Sequence, residues 1–236
     1  MNQCGCESCK HNLCAKKVPI FSFLSNEELE KIVDMTGHKS YKKGEILCSE
    51  GEKSDTLFII NEGQVKISKF TRDGKEQIVH ILTSGDFFGE LSLFSNDEAY
   101  DYNVYAISEL KICTLTKNDM DRILVSNPDI ALKLLQVVTK RLKDTENLAQ
   151  NLATNDAEIR IAYMLLEFGD KYGTKTSEGV HIKLPINREE MANYVGVTRE
   201  TISRKLSKFE EQHIISLKGN KTLIIKKIDA LKTYVE

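Results

Sequence analysis

The chain has 236 residues, 41% hydrophobic and 29% charged, a balance that excludes a disordered polymer and predicts one or two globular domains. The formal net charge is −2 at pH 7, so attraction to nucleic acid has to come from a local basic region. No apolar run approaches membrane-spanning length, and Met1–Lys17 lacks the apolar core of a secretory signal, which predicts a cytoplasmic protein.

Cys4, Cys6, Cys9 and Cys14 crowd into the first fourteen residues, whereas Cys48 and Cys113 stand alone. In a reducing compartment structural disulfides are not expected. The crowded four lie too close together to be separate core residues, so they are candidate metal or redox ligands. His11, a lone histidine among them, reads as solvated. Cys48, in Glu45-Ile46-Leu47-Cys48, reads as core.

A short helix is expected over Asn26–Met35. From Lys39 to Leu115 short apolar runs alternate with turn residues, and Gly44, Gly51, Gly63, Gly74 and Gly85 mark the turns. The runs Thr56–Ile60, Val65–Ser68, Ile78–Ile81 and Val104–Ala106 predict the strands of an antiparallel sandwich, roll or barrel. The pattern becomes helical near Asn118. Asp129–Asn151 contains no Gly or Pro, and Leu134, Val138, Thr145, Leu148 and Leu152 recur as in a coiled-coil seam, which predicts a homodimer. Asn155-Asp156 reads as a hinge, with Asp156 capping a helix over Ala157–Tyr172. Gly169–Gly179 reads as a loop, a candidate for contact with RNA polymerase that is too generic to separate an activator from a repressor.

Leu184–Leu217 predicts two short helices joined by a sharp turn. Asn187 and Glu190 have the spacing of a capping box, and Met191, Ala192 and Val195 form the apolar face of the first helix. Gly196 can turn the chain, and Thr198 can cap the second helix. Its Ile202, Leu206 and Phe209 face inward, leaving Arg199, Glu200, Ser203 and Arg204 outward near the N-terminal end. A recognition helix meets base edges with that end. Arginine can donate two bonds to guanine, glutamate can accept from cytosine, and serine can contact several groups. Ile214–Ser216, a turn at Lys218-Gly219-Asn220, and Thr222–Ile225 predict a wing carrying Lys218 and Lys221. Asn187–Lys227 holds nine Lys/Arg against five Asp/Glu, a net of +4 that leaves −6 elsewhere. Such a basic end on an acidic protein is the footprint of DNA binding. No nucleophile–base pair or cofactor loop suggests an enzyme.

Three stretches in order carry a resemblance over nearly the whole chain. They are Gly85–Phe94 (GDFFGELSLF), Arg160-Ile161-Ala162 and Val197–Arg204 (VTRETISR). Together they resemble the cyclic-AMP receptor protein/FNR family of bacterial transcription regulators, FNR being the fumarate–nitrate reduction regulator. The resemblance implies an α+β architecture. A cysteine-rich segment (1–17) would precede a cyclic-nucleotide-binding-like antiparallel β-roll (18–117), a long dimerisation helix (118–152) and a C-terminal winged helix-turn-helix (153–236). Glu200, Ser203 and Arg204 match FNR-type readers of TTGAT half-sites, and Arg199 is shared with readers of TGTGA. A palindrome with TGA in each half is therefore expected.

Members of the family that bind cyclic AMP hold it with Gly-Glu-Leu and, eleven residues after that glycine, an Arg-Ser pair. Gly89, Glu90 and Leu91 match the first part, but Tyr100 and Asp101 replace the pair. A cyclic phosphate needs a cation there, and a confined carboxylate repels it. No cyclic nucleotide is therefore expected. Cys6-x2-Cys9-x4-Cys14 resembles the N-terminal cysteine group of FNR-type sensors, and Cys113 falls where their remote fourth ligand stands. The resemblance implies a [4Fe–4S] cluster held by Cys6, Cys9, Cys14 and Cys113, with Cys4 as an alternate. Zinc on the N-terminal cysteines and a reversible disulfide involving Cys113 remain the alternatives.

Overall fold

In the computed structural model, residues 16, 18–53, 55–94 and 99–235 are described. They form two compact units. The leader cysteines and His11 lie outside the described residues.

The first unit comprises residues up to Lys69 and His80–Leu142. It opens with α1 (Asn26–Met35), whose Ser25 and Glu28 form a reciprocal capping box. Strands β1 (Gly37–Tyr41), β2 (Ile46–Cys48), β3 (Thr56–Glu62), β4 (Gln64–Phe70), β5 (Glu76–Thr83), β6 (Phe87–Phe88), β7 (Asn103–Ala106) and β8 (Leu110–Thr116) follow, with a one-turn helix α2 (Glu90–Phe94) after β6. They make two four-stranded sheets, ordered β1-β8-β3-β6 and β2-β7-β4-β5.

Alternation along β3 and β8 divides the apolar residues between two cores. Phe58, Ile60, Leu110 and Ile112 pack with Val65, Ile67, Val104 and Cys48 of the other sheet. Leu57, Ile59, Cys113 and Leu115 face the opposite way, into a core shared with Leu29, Ile32, Met120, Ile123, Ile130 and Leu134. A strand buried on both faces reads as a continuous apolar run, which is why Leu57–Ile60 shows no period-two pattern.

Helix α3 (Lys117–Ser126) is capped by Thr116 and Asp119, and Pro128 follows its end. Helix α4 (Asp129–Ala153) follows, and its residues fall in both units. Its predicted seam requires correction. Leu134 and Leu148 are buried within the chain, whereas Leu135 and Leu142 are 61% and 58% exposed. Ala131, Leu135, Val138, Leu142, Thr145 and Ala149 share the alternating four- and three-residue spacing of a heptad seam, displaced from the predicted stripe.

The second unit comprises Phe70–Val79 and Lys143–Glu236. Asp156 caps α5 (Ala157–Tyr172) by accepting from the Glu158 amide at 2.7 Å. Strands β9 (Gly173–Thr176) and β10 (Gly179–Lys183), helices α6 (Arg188–Val195) and α7 (Arg199–Glu211), strands β11 (Ile215–Lys218) and β12 (Thr222–Ile225), and a one-turn helix α8 (Ile228–Lys232) complete it. The sheet order is β11-β12-β10-β9. Gly169–Gly179 is therefore not a free loop. It comprises the end of α5 and the β9 side of a hairpin in that sheet.

Candidate DNA interface and sensor site

Local chemistry sets both helices of the reading motif. The Glu190 amide donates to Asn187 Oδ1 and the Asn187 amide to Glu190 Oε2, both at 3.0 Å, so α6 begins on a complete capping box. It ends at Gly196, whose left-handed backbone (φ 66°, ψ 44°) places its amide on Ala192 O. A Cβ there would stand 3.2 Å from Leu152 Cδ2. Arg160 of α5 fastens the same turn, its Nη1 donating to Val195 O at 3.0 Å and Gly196 O at 3.1 Å. A guanidinium on the C-terminal carbonyls of α6 suits the negative end of its dipole. The sequence motif containing Arg160 did not disclose this role.

Thr198 caps α7 by accepting from the Thr201 amide at 3.3 Å. Ile202, Leu206 and Phe209 are fully buried, which turns Arg199, Glu200, Ser203 and Arg204 outward, all exposed. No ion pair among the described residues engages Arg199 or Arg204. The wing behaves differently. Lys218 Nζ lies 2.9 Å from Glu178 Oε2, a partner that sequence reading missed, while Lys221 is exposed beyond the Gly219 turn. The Lys218 hydrogen bond and charge hold the Glu178 carboxyl below its usual range.

In the roll, Gly89 has φ 94°, and a Cβ there would stand 2.3 Å from Thr56 O. Only glycine permits this close approach. Glu90 is 5% exposed, and its Oε1 accepts from Arg141 Nη1 of α4 at 2.5 Å. Arg141 Nη2 also donates to Phe87 O, and the guanidinium lies 4.8 Å from the Phe87 ring centroid. Leu91 is exposed.

Tyr100 and Asp101 do not form an anion cradle. Tyr100 is buried, its ring 5.6 Å from that of Tyr102, and its hydroxyl donates to Thr56 O at 3.2 Å. Burial raises its phenol well above the ordinary tyrosine range. Asp101 is an exposed carboxylate paired with Lys69 Nζ at 2.6 Å.

Of the predicted sulfur ligands, Cys113 alone falls among the described residues; Cys4, Cys6, Cys9 and Cys14 lie outside them. Cys113 sits on β8 opposite His38 of β1 in the strand register. It is buried, with Sγ 3.4 Å from His38 Nδ1. Its core also contains Val18, Ile20 and Phe21, where the chain emerges from the leader. Among the described residues no three metal-ligating side chains cluster. Cys48 lies in the other core, where burial and then the Glu52 charge push its thiol up to about 12.

An antiparallel roll of the cyclic-nucleotide-binding type and a winged helix-turn-helix define a DNA-binding transcription regulator. Residues 38–127 match the cyclic nucleotide-binding domain model, and residues 159–234 match the Crp-like helix-turn-helix domain model. The chain is 35% identical over 189 residues to the cAMP-activated global transcriptional regulator CRP of Pasteurella multocida, covering 80% of this chain and 88% of that protein. It is 31% identical over 184 residues to the CRP-like cAMP-activated global transcriptional regulator of Mycobacterium tuberculosis, covering 78% and 82%. The fold resembles that of FixK2 from Bradyrhizobium japonicum, with a TM-score of 0.76 at 23% identity, covering 85% of this chain and 98% of that one. It also resembles that of a CooA variant from Carboxydothermus hydrogenoformans, with a TM-score of 0.80 at 24% identity, covering 93% and 96%.

The chain belongs to the CRP/FNR family of transcription regulators, which are DNA-binding proteins and not enzymes. Among the described residues no helix is long and apolar enough to cross a membrane.

Proposed function

We propose that this regulator is a cytoplasmic homodimer that senses oxygen or redox state through sulfur ligands and reads a palindromic operator with a TGA core in each half. Its wider partner would be RNA polymerase. The observation that carries the sensing half is the core holding Cys113. The same cluster contains Val18, Ile20 and Phe21. Cys14 precedes Val18 by four residues in the sequence. Cys14 is thus separated by a short stretch of sequence from the core that holds Cys113, which supports the reading.

Soft sulfur donors suit an iron–sulfur centre, and Cys6, Cys9 and Cys14 with Cys113 supply the four thiolates of a [4Fe–4S] cluster, with Cys4 as alternate. Bound there, the cluster would supply an oxygen-labile link between the leader and β8. Cys113 would anchor that link in the core that also seats Ile130 and Leu134 of α4. The cAMP activation named for the relatives is not carried over. Tyr100 is committed to the core, Asp101 is exposed and paired with Lys69, and Glu90 is already held by Arg141. The positions at which a cyclic phosphate needs arginine and serine carry instead a buried phenol and a carboxylate already paired with Lys69.

Dimerisation is assigned to α4 through Ala131, Leu135, Val138, Leu142, Thr145 and Ala149. Arg199, Glu200, Ser203 and Arg204 then enter the major groove of successive half-sites, with Thr198, Lys218 and Lys221 at the backbone.

The test is iron and acid-labile sulfide analysis of anaerobically purified protein. A brown preparation bleached by air, with colour lost in Cys113→Ser, supports the reading. A colourless preparation with stoichiometric zinc points to a structural metal, and a metal-free protein with a Cys113 disulfide points to a thiol switch. Micromolar cyclic AMP or cyclic GMP binding by titration calorimetry would overturn the exclusion of nucleotide.

A further inference from the structure

Two lysines of the recognition helix do not point freely at solvent. Lys205 Nζ lies 2.5 Å and Lys208 Nζ 2.6 Å from the same atom, Glu158 Oε1. The Glu158 side chain is 12% exposed, against 22% for Lys205 and 47% for Lys208. Glu158 stands in the first turn of α5, two residues after its cap, where the helix dipole favours a carboxylate. The lysine hydrogen bonds hold the Glu158 carboxyl below its usual range, and the hydrogen bond to Glu158 raises Lys208. By contrast, Arg199 and Arg204 on the same helix have no ion-pair partner among the described residues.

We propose that Glu158 limits the sequence-independent, salt-dependent part of DNA binding. By masking Lys205 and Lys208, it keeps two cations of the recognition helix off DNA phosphates and leaves binding to the base-reading face. The physical argument is counterion release. Each phosphate neutralised by a lysine adds about 0.9 to the slope of log affinity against log salt, whatever the base sequence. A recognition helix with both lysines free would gain sequence-independent affinity, on cognate and random duplex alike, and a steeper salt dependence. One carboxylate holding both cations removes that contribution from the face that reads bases. The inference rests on DNA binding alone and not on the redox reading or the TGA palindrome.

The test uses the full chain and a random-sequence duplex across a salt series. Glu158→Gln should bind that duplex more tightly at low salt. Its salt slope should steepen by up to about 2, giving roughly tenfold greater loss of affinity between 50 and 200 mM salt. An unchanged slope and affinity would overturn the proposal. A second variant covers the case in which Glu158→Gln folds poorly. Lys205→Gln combined with Lys208→Gln in the otherwise intact chain should leave the slope where it was, because both lysines are held on Glu158 and make no phosphate contact. A slope reduced by about 2 would show that both lysines touch phosphate in the native protein, and the masking role would fall.

Discussion

Arg141 Nη1 meets Glu90 Oε1 at 2.5 Å, with side-chain exposures of 16% and 6%. The pair joins the first residue of α2 to the long helix α4. Removing one partner of a buried pair leaves an uncompensated charge, which costs about 3–5 kcal/mol. Arg141→Ala should therefore lower the urea midpoint sharply at fixed protein concentration. Replacing both partners, Glu90→Gln with Arg141→Met, should recover most of the loss. If Arg141→Ala unfolds like the parent, the pair has no structural weight.

DNA contacts separate by kind. Arg204→Ala should cost about 1–3 kcal/mol on the cognate duplex and relax preference at one base position. Equal weakening on cognate and random duplex would instead make Arg204 a phosphate contact. Lys221→Gln should weaken all sequences alike and reduce the salt slope by about 0.9. Lys218→Gln should do less, because Glu178 already holds Lys218. Filter binding across a salt series distinguishes the two lysines.

The exposed face of α4 makes a prediction about assembly. Leu135→Lys with Leu142→Lys places charge at two exposed seam positions without touching the buried Leu134. Sedimentation equilibrium should report a monomer, with operator affinity falling as the second half-site is lost. A dimer of unchanged mass would remove α4 as the dimer interface.

Cys48 should be inert. Its thiol is pushed up from 9.0 to about 12, chiefly by burial. Three units lower the thiolate fraction near pH 8 about a thousandfold, so Ellman's reagent should label Cys48 only after denaturation. The sign follows from a folded value above the unfolded one. The contribution to stability is complete below pH 9 and is lost as pH rises through about 12. Rapid labelling of Cys48 in the folded protein at pH 8 would contradict this.

Much of the fold was legible because the signals are local. Asn187 with Glu190, Asp156 and Thr198 cap the helices that their spacing suggested, each bonding an amide two or three residues away. The strands around Val65 and Val104 and the inward face of α7 follow from apolar periodicity. The α4 seam was misread because that helix carries apolar residues on more than one side, and spacing alone does not say which side its own chain covers. Strand β9 (Gly173–Thr176) was missed because its exposed Thr and Lys residues give no apolar alternation. Its pairing with β10 supplies the order.

The sequence by itself determined the winged helix-turn-helix, the outward set Arg199, Glu200, Ser203 and Arg204, and the loss of the Arg-Ser pair at Tyr100 and Asp101. Short-range capping, turn chemistry and residue charge need no distant partner. Tertiary structure alone decided that Glu90 is held by Arg141, that Glu158 gathers Lys205 and Lys208, and that Cys113 shares a core with Val18. These partners are separated by 47 or more residues of chain, and side chains that far apart meet only when packed elements bring them together.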